Sequence, residues 1–450
     1  MLRKYFGTDG VRGRAGAFPL DPATVFCLGR AVGRILGGDH PSALVGMDPR
    51  TSGRELAEAL MAGLACEGAS CRFAGVLPTP AVARLTPDCG FTMGVMISAS
   101  HNPYTDNGIK FFSADGFKLP DEIELKVEGL LDDFLGGGGE APERPSAPEE
   151  EGAFSRDYLE WLRERWPGGD LGGCTIAVDG ANGAAHWVAP ALFESLGARV
   201  VRRACEPDGT NINRDCGSLH LEGLRRLMEA EGAHLGLAFD GDADRCLALT
   251  PGGALIDGDA VLYLEALKRK AEKCLAGDLV VGTVMSNLWL ERALSERGVR
   301  FHRAPVGDRY VLQAMREQGG EVGGEPSGHV ILLDQATTGD GLLTALTVAG
   351  HMARKGSADA LVEGICPYPQ ELRNLKVQRR VDLQEDNVIL EALAAEEEAL
   401  GACGRVVLRF SGTEPVLRLM VEASTENLMN QSLDRLEGIL FDYLGREGRG

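Results

Sequence analysis

The sequence predicts an α/β fold of three successive blocks followed by a smaller α+β block. Three observations predict it. Short apolar runs recur, each ending in a loop of small polar residues and followed by a stretch of helical periodicity. The alternation repeats in three blocks of roughly 100 residues with no obvious repeat of sequence. From about residue 367 the order changes: Arg405–Arg409, a loop, Val416–Val421, then a closing helix from about Glu426 to Leu444.

In the first block a helical pattern covers about Pro22 to Leu36. Ala43–Met47 reads as a strand that ends in Asp48-Pro49-Arg50-Thr51-Ser52-Gly53, and a helix follows over about Arg54 to Glu67. Val95–Ile97 is a short buried strand that runs into Ser98-Ala99-Ser100-His101-Asn102-Pro103, where Asn-Pro forces a turn. The Ser100 hydroxyl therefore sits on a loop at a strand's carboxyl end, the edge at which open α/β sheets bind ligands. Gly108–Phe112 is a second short strand with one charge inside it. Lys110 is either a snorkelling side chain or an acid, base or phosphate contact beside the serine loop. Residues 136–152, rich in Gly, Pro and Glu, cannot bury a core and read as a linker or exposed loop.

The second block contains the strand Cys174–Val178, ending in Asp179-Gly180-Ala181-Asn182-Gly183, and the strand Leu235–Phe239, ending in Asp240-Gly241-Asp242-Ala243-Asp244-Arg245. In the third, Leu279–Val284 ends in Met285-Ser286-Asn287, and Gly323-Gly324-Glu325-Pro326-Ser327-Gly328-His329 leads into Val330–Leu333. The expected domains are 1–150, 151–255, 256–366 and 367–450.

With 450 residues, 44% hydrophobic and 25% charged, the chain has the composition of a soluble globular protein. A formal net charge of −20 excludes non-specific nucleic-acid binding, which needs a basic face. Anionic small substrates remain open, with a metal the natural compensation. Eleven scattered cysteines without a Cys-x-x-Cys pair read as reduced thiols, and zinc is unsupported. No apolar run approaches a membrane span of ~20 residues, and the start lacks a secretory pattern, so a cytoplasmic protein without membrane contact is expected. A homodimer is compatible with the sequence.

Asp240, Asp242 and Asp244 alternate with the small residues Gly241 and Ala243, so an extended or looped backbone aims three carboxylates at one point. Such charges call for a cation, and oxygen ligands favour Mg²⁺ or Ca²⁺. An EF-hand is excluded, because Arg245 and Pro251 stand where its Gly and Glu are required. Ser411-Gly412-Thr413-Glu414-Pro415, between strands and flanked by Arg409 and Arg418, could form an anion nest. Glu325, Ser327 and His329 could bind sugar hydroxyls, or the segment could be a plain turn before a strand. In Gly7-Thr8-Asp9-Gly10-Val11-Arg12-Gly13, Arg12 could contact an anion. There is no Gly-x-Ser-x-Gly elbow and no Walker loop, and Ser100 and His101, being neighbours, are expected to diverge. A loop serine, a carboxylate metal site, a phosphate nest and a polyhydroxyl-binding loop together suit phosphoryl transfer.

Phe6–Gly13, Ser98–Pro103, Asp240–Arg245, Gly324–His329 and Arg409–Pro415, in this order over nearly the whole chain, resemble the α-D-phosphohexomutase superfamily. Phe6-Gly7-Thr8-Asp9-Gly10 and Val306-Gly307-Asp308-Arg309-Tyr310-Val311 are similar to its glucosamine branch, although Pro326 stands where that branch often has Gln and Phe410 is bulkier than expected. The resemblance implies four domains around a central cleft, three α/β with mixed sheets and a smaller α+β one. It implies a phosphoserine at Ser100, with Ser100, Asp240, Asp242 and Asp244 around one Mg²⁺, and a catalytic group of Ser100, His101, Lys110 and Arg12. The hexosamine phosphate substrate would meet Arg245, Asp308, Arg309, Glu325, Ser327 and His329. Arg409, Ser411, Gly412, Thr413 and Arg418 would hold the phosphate not being transferred. The implied reaction converts glucosamine 6-phosphate to glucosamine 1-phosphate, with a sugar 1,6-bisphosphate as intermediate and activator. Alternatives are a phosphomannomutase or phosphoglucomutase with the same machinery, a metal phosphatase, or a catalytically inactive sugar-phosphate-binding protein.

Overall fold

The computed structural model describes residues 3–7, 9–137, 149–410 and 416–445. The chain divides into two compact units, residues 1–283 with 302–363 and residues 284–301 with 364–450. In the first, three mixed sheets carry the three α/β blocks. The six-stranded sheet runs in the order Phe6–Gly7, Gly10–Arg14, Asp106–Ser113, Met93–Ile97, Ser42–Met47, Ser70–Val76. Ser42–Met47 pairs parallel with both Met93–Ile97 and Ser70–Val76, and Met93–Ile97 pairs antiparallel with Asp106–Ser113. The five-stranded sheet is ordered Leu255–Ile256, Cys246–Leu249, Leu235–Phe239, Thr175–Asp179, Arg199–Arg203, again parallel at its centre. In the third sheet Leu279–Thr283 and Val322–Gly324 pair parallel, and Val330–Leu332 pairs antiparallel with the latter. The second unit contains an antiparallel sheet in which Val416–Ala423 lies between Gln370–Lys376 and Gly404–Phe410, packed by the helices Asn387–Leu400 and Glu426–Leu444.

The strands that deliver the site are apolar on both faces because helices cover both sides of a parallel sheet. Every residue of Met93–Ile97 and of Leu235–Phe239 is buried. A strand with no polar residue must place its first polar groups past its carboxyl end, and Ser98–Ser100 and Asp240–Asp244 stand there. Several helices start at a side-chain cap. Asp21 accepts from the Thr24 amide ahead of Pro22, Asp340 accepts from Leu343 N, and Thr425 opens Glu426–Leu444. Pro22–Leu36, Leu235–Phe239 and Glu426–Leu444 have the expected bounds, and other elements shift by a residue or two. Most of the expected linker, residues 138–148, lies outside the described residues, while Glu150 already bridges to Phe73. No helix among the described residues is long and apolar enough to cross a membrane.

The serine and aspartate loops touch through backbone. A Cβ on Gly241 would lie 2.4 Å from the Ser100 carbonyl oxygen and 2.9 Å from Asn213 Nδ2. Gly241→Ala must therefore push the two loops apart. We expect it to destabilise the protein by on the order of 1–3 kcal/mol, read as a lower melting temperature. An unchanged melting curve would contradict this packing.

Candidate active site

Ser100 occupies a left-handed backbone conformation (φ 51°) and is 1% exposed. Such a conformation in a residue with a side chain persists only when its surroundings hold it. The Ser100 amide donates to Ser98 Oγ at 2.9 Å, and its carbonyl accepts from Arg50 Nη2 at 3.1 Å and Asn213 Nδ2 at 2.9 Å. Arg50 also donates to Asn102 O and pairs with Asp48, which accepts from Ser98 Oγ at 2.5 Å. Asp48, Arg50, Ser98 and Ser100 are buried at two adjacent strand ends, and Asn213 joins them from the second block. The Ser100 Oγ donates to Asp240 Oδ2 at 2.6 Å and lies 3.3 Å from His101 Nδ1. The expected divergence of Ser100 and His101 is thereby corrected. Side chains alternate only on extended backbone, and the left-handed turn at Ser100 brings the two to one side. Burial, then Arg245 and Arg12, depress the His101 pKa to about 4, so its imidazole is neutral at pH 7.

Asp240, Asp242 and Asp244 are buried, and each offers a carboxylate oxygen within 4.8 Å of the others. At an effective dielectric of about 20, two full charges at that distance repel by roughly 3 kcal/mol, so three pairs approach the stability of a whole domain. Burial, then Asp244 and Asp242, push the Asp240 carboxyl well above its ordinary range. Lys110 supplies partial relief. It is 1% exposed, with Nζ 2.8 Å from Asp242, 2.9 Å from Asp9 and 3.3 Å from Asp244. Burial alone would discharge it, but Asp242, Asp9 and Asp244 outweigh that and hold its pKa well above the usual value. The snorkelling reading of Lys110 therefore fails. Asp242 Oδ1 and Asp244 Oδ1 have no hydrogen-bond partner. Two unsatisfied buried carboxylate oxygens beside a third carboxylate and the Ser100 hydroxyl fit a hard, oxygen-preferring cation.

Around this centre, Arg12 pairs with Asp9, and half-buried Arg245 donates its amide to Asp240 Oδ1 at 3.3 Å. Glu325 Oε1 accepts from Gly307 N at 3.0 Å, and the buried Ser327 Oγ has no hydrogen-bond partner. His329 Nε2 accepts from Gly339 N at 3.2 Å, which puts the proton of the neutral ring on Nδ1, 3.7 Å from Asp244 Oδ1. Asp308 pairs with Lys118 and lies 3.6 Å from His329 Nε2. The Arg309 guanidinium pairs with Glu124 at 2.6 Å and with Asp121, both on the helix Asp121–Gly136. In the second unit Arg409 and Arg418 stand opposite one another on paired strands, and burial followed by the Arg418 charge lowers the Arg409 pKa. Ser411, Gly412 and Thr413 lie outside the described residues.

Several residues of the site were not singled out by the sequence. Thr79 donates to Asp242 Oδ2 at 2.5 Å, and its amide donates to Asp242 O at 2.9 Å. Asp9 lies within a quoted motif without an assigned role, while Lys118 and Asn213 carried no sequence signal. Asp48, Arg50 and Thr79 could have been found by the criterion that found Ser100, since each follows a strand's carboxyl end.

Three mixed α/β domains, a small α+β domain and a buried serine on a carboxylate cluster define a phosphoryl-transfer enzyme fold of four domains. Four family models match consecutive stretches of the chain. These are phosphoglucomutase/phosphomannomutase domain I over residues 3–133, domain II over 158–253, domain III over 257–368 and the C-terminal domain over 372–438. The chain belongs to the phosphoglucomutase/phosphomannomutase family, the phosphohexomutases. It is 46% identical to a phosphoglucosamine mutase of Alcanivorax borkumensis, covering 98% of this chain and 97% of the relative. It is 45% identical to one of Corynebacterium glutamicum, covering 98% and 99%. Among solved structures it is similar to a phosphoglucomutase/phosphomannomutase family protein of Burkholderia thailandensis, with TM-score 0.80, 24% identity and 98% of each chain covered. It is also similar to N-acetylphosphoglucosamine mutase of Aspergillus fumigatus, with TM-score 0.66, 19% identity and 98% and 96% covered.

The buried Arg50 network makes a prediction. Arg50→Met removes the donors to the Ser100 and Asn102 carbonyls and leaves Asp48 a buried unpaired carboxylate, a change that typically costs ~3–5 kcal/mol. Urea unfolding should show that loss. A variant as stable as the wild type would refute the role.

Proposed function

We propose that this enzyme is a phosphoglucosamine mutase that interconverts glucosamine 6-phosphate and glucosamine 1-phosphate through a phosphoserine at Ser100. The observation that carries the chemistry is the buried Ser100 Oγ, 2.6 Å from Asp240 Oδ2 and at the edge of the three-carboxylate cluster. The choice of amino sugar is supported by relatives of 43–47% identity over nearly their full length. Asp240, Asp242, Asp244 and the Ser100 oxygen would hold Mg²⁺, which supplies positive charge to the phosphoryl oxygens when bound.

The chain's own residues do the rest. Phosphoryl transfer asks mainly for alignment and charge neutralisation. The phosphoryl group on Ser100 Oγ passes to the free sugar oxygen, the Oγ–P bond breaking as the sugar O–P bond forms. The resulting 1,6-bisphosphate turns over in the site, and its other phosphoryl group returns to Ser100. Lys110, Arg12 and Arg245 place positive charge around the serine loop. The neutral His101 ring can accept a hydrogen bond at Nδ1. Glu325, Ser327 and His329 are the sugar-facing groups, with the partnerless Ser327 Oγ free to bond a hydroxyl. Arg409, Arg418 and the Ser411–Thr413 loop would hold the phosphate not being transferred. The same reading divides the chain into domains 1–150, 151–255, 256–366 and 367–450, and places the enzyme in the cytoplasm, supplying amino-sugar phosphates for cell-wall precursors.

The deciding experiment is isomerisation followed by ³¹P NMR, with Mg²⁺ and a trace of sugar 1,6-bisphosphate. Glucosamine, glucose and mannose 6-phosphates are compared at equal concentration. The amino sugar should be preferred. Preference for glucose or mannose would reassign the substrate, and release of inorganic phosphate without isomerisation would indicate a phosphatase. Ser100→Ala should abolish turnover in a folded protein, and intact mass should show one phosphoryl group on the wild type and none on the variant. Chelation should abolish activity and Mg²⁺ restore it; full activity of metal-free enzyme would remove the carboxylate cluster from the mechanism.

A further inference from the structure

Six groups from three domains close a ring of acidic and basic neighbours around the site, His329 carrying charge only when protonated. Asp244 meets Lys110 at 3.3 Å, and Lys110 meets Asp9 at 2.9 Å. Asp9 pairs with Lys118, and Lys118 pairs with Asp308. Asp308 lies 3.6 Å from His329 Nε2, and His329 Nδ1 lies 3.7 Å from Asp244. Around the ring each acid stands between two basic groups. The proposed mechanism uses Asp244, Lys110 and His329 and gives no part to Lys118.

Lys118 is the group on which the ring's continuity turns. It follows the hairpin after the strand Asp106–Ser113 and bridges back to Phe112, so it is anchored to the strand that carries Lys110. Its ammonium is 11% exposed and lies between two carboxylates distant in sequence, Asp9 on the N-terminal loop and Asp308 at the start of the helix Asp308–Gln318. Burial would discharge it, but Asp308 and Asp9 outweigh that and raise its pKa. The two carboxylates do not depend on it equally. Asp9 also has Arg12 and Lys110, whereas Asp308 has, besides Lys118, the Arg309 amide at 2.8 Å and the more distant His329 ring. Removing the ammonium therefore takes from Asp308 its close cationic partner. Asp308 follows Gly307, whose amide is held by Glu325, so a shift of Asp308 is passed to the sugar-facing loop.

We propose that Lys118 is a positioning residue for the mutase reaction, tying Asp308 and the Gly307–Glu325 contact to the Asp9–Lys110 side of the site. The inference rests on the reaction proposed above. It assigns Lys118 no contact with substrate and no proton to carry; it acts through Asp308.

The test is a double-mutant cycle in the full-length enzyme with Mg²⁺ and glucosamine 6-phosphate, comparing wild type, Lys118→Met, Lys118→Arg, Asp308→Asn and the double variant Lys118→Met/Asp308→Asn. Lys118→Met should lower kcat/KM by about tenfold or more, and Lys118→Arg should restore most of it. In the Asp308→Asn background Lys118→Met should cost less than about twofold, because coupled residues are not additive. An unchanged Lys118→Met enzyme would overturn the proposal. So would a loss that persists undiminished beside Asp308→Asn, since the lysine would then meet substrate itself. If Lys118→Met does not fold, Lys118→Arg against wild type and the double variant against Asp308→Asn carry the same comparison. The cycle is also run on melting temperature, where coupling is expected and additive losses would overturn the pairing. A wild type without turnover counts against the reaction, and the melting cycle still decides the Lys118–Asp308 link.

Discussion

Three carboxylates held within 4.8 Å of one another in a buried loop set the terms for the rest of this protein. Their mutual repulsion, added to the cost of taking each out of water, rivals the stability of a domain. The chain meets it by concentrating positive charge locally although its formal net charge is −20. Lys110, Arg12 and Arg245 come from three separate segments to one point. Lys110 is buried in a strand interior, a position a lysine tolerates only when its ammonium is paired. Even so, two carboxylate oxygens stay without a hydrogen bond. The loop could thus hold a cation, and under the proposed reaction a phosphoryl group beside it would meet a field already arranged for negative oxygens.

The serine loop depends on the same centre through its backbone. Ser100 is held in a left-handed conformation by the amide-to-Ser98 bond and by two donors on its carbonyl, so its hydroxyl is aimed before any ligand arrives. Gly241 lets the aspartate loop approach that carbonyl closely. Arg50, buried beneath both, satisfies two carbonyls and one carboxylate at once. Strained backbone and crowded charge occur at the same place, and the all-apolar strands behind them are stiff enough to bear both.

Much of this architecture is local in the chain and so could be read from it. A buried strand shows as a continuous apolar run, and its first polar residues show where it ends, which is why Leu235–Phe239 with Asp240–Asp244, and Met93–Ile97 with Ser98–Ser100, were legible together. Spacing two between aspartates, with only Gly and Ala between them, already implied converging carboxylates. The partners of Arg309 were less legible. It shares a motif with Asp308, and one step around the helix start turns it to Glu124 and Asp121. The neighbours Ser100 and His101 were expected to diverge and do not, because a single positive φ is invisible in a Ser-His pair.

By itself, the sequence determined which segments become strands and helices, and which loops carry hydroxyls, carboxylates and glycines, because hydrophobic periodicity and turn chemistry act over a few residues. Only the tertiary structure decided which charges meet. Lys110 lies 132 residues from Asp242, and Lys118 lies 190 residues from Asp308. Whether a lysine snorkels to water or is buried between carboxylates is settled by what the other domains bring to it, since an ion pair has no sequence period and its worth depends on the desolvation that packing imposes.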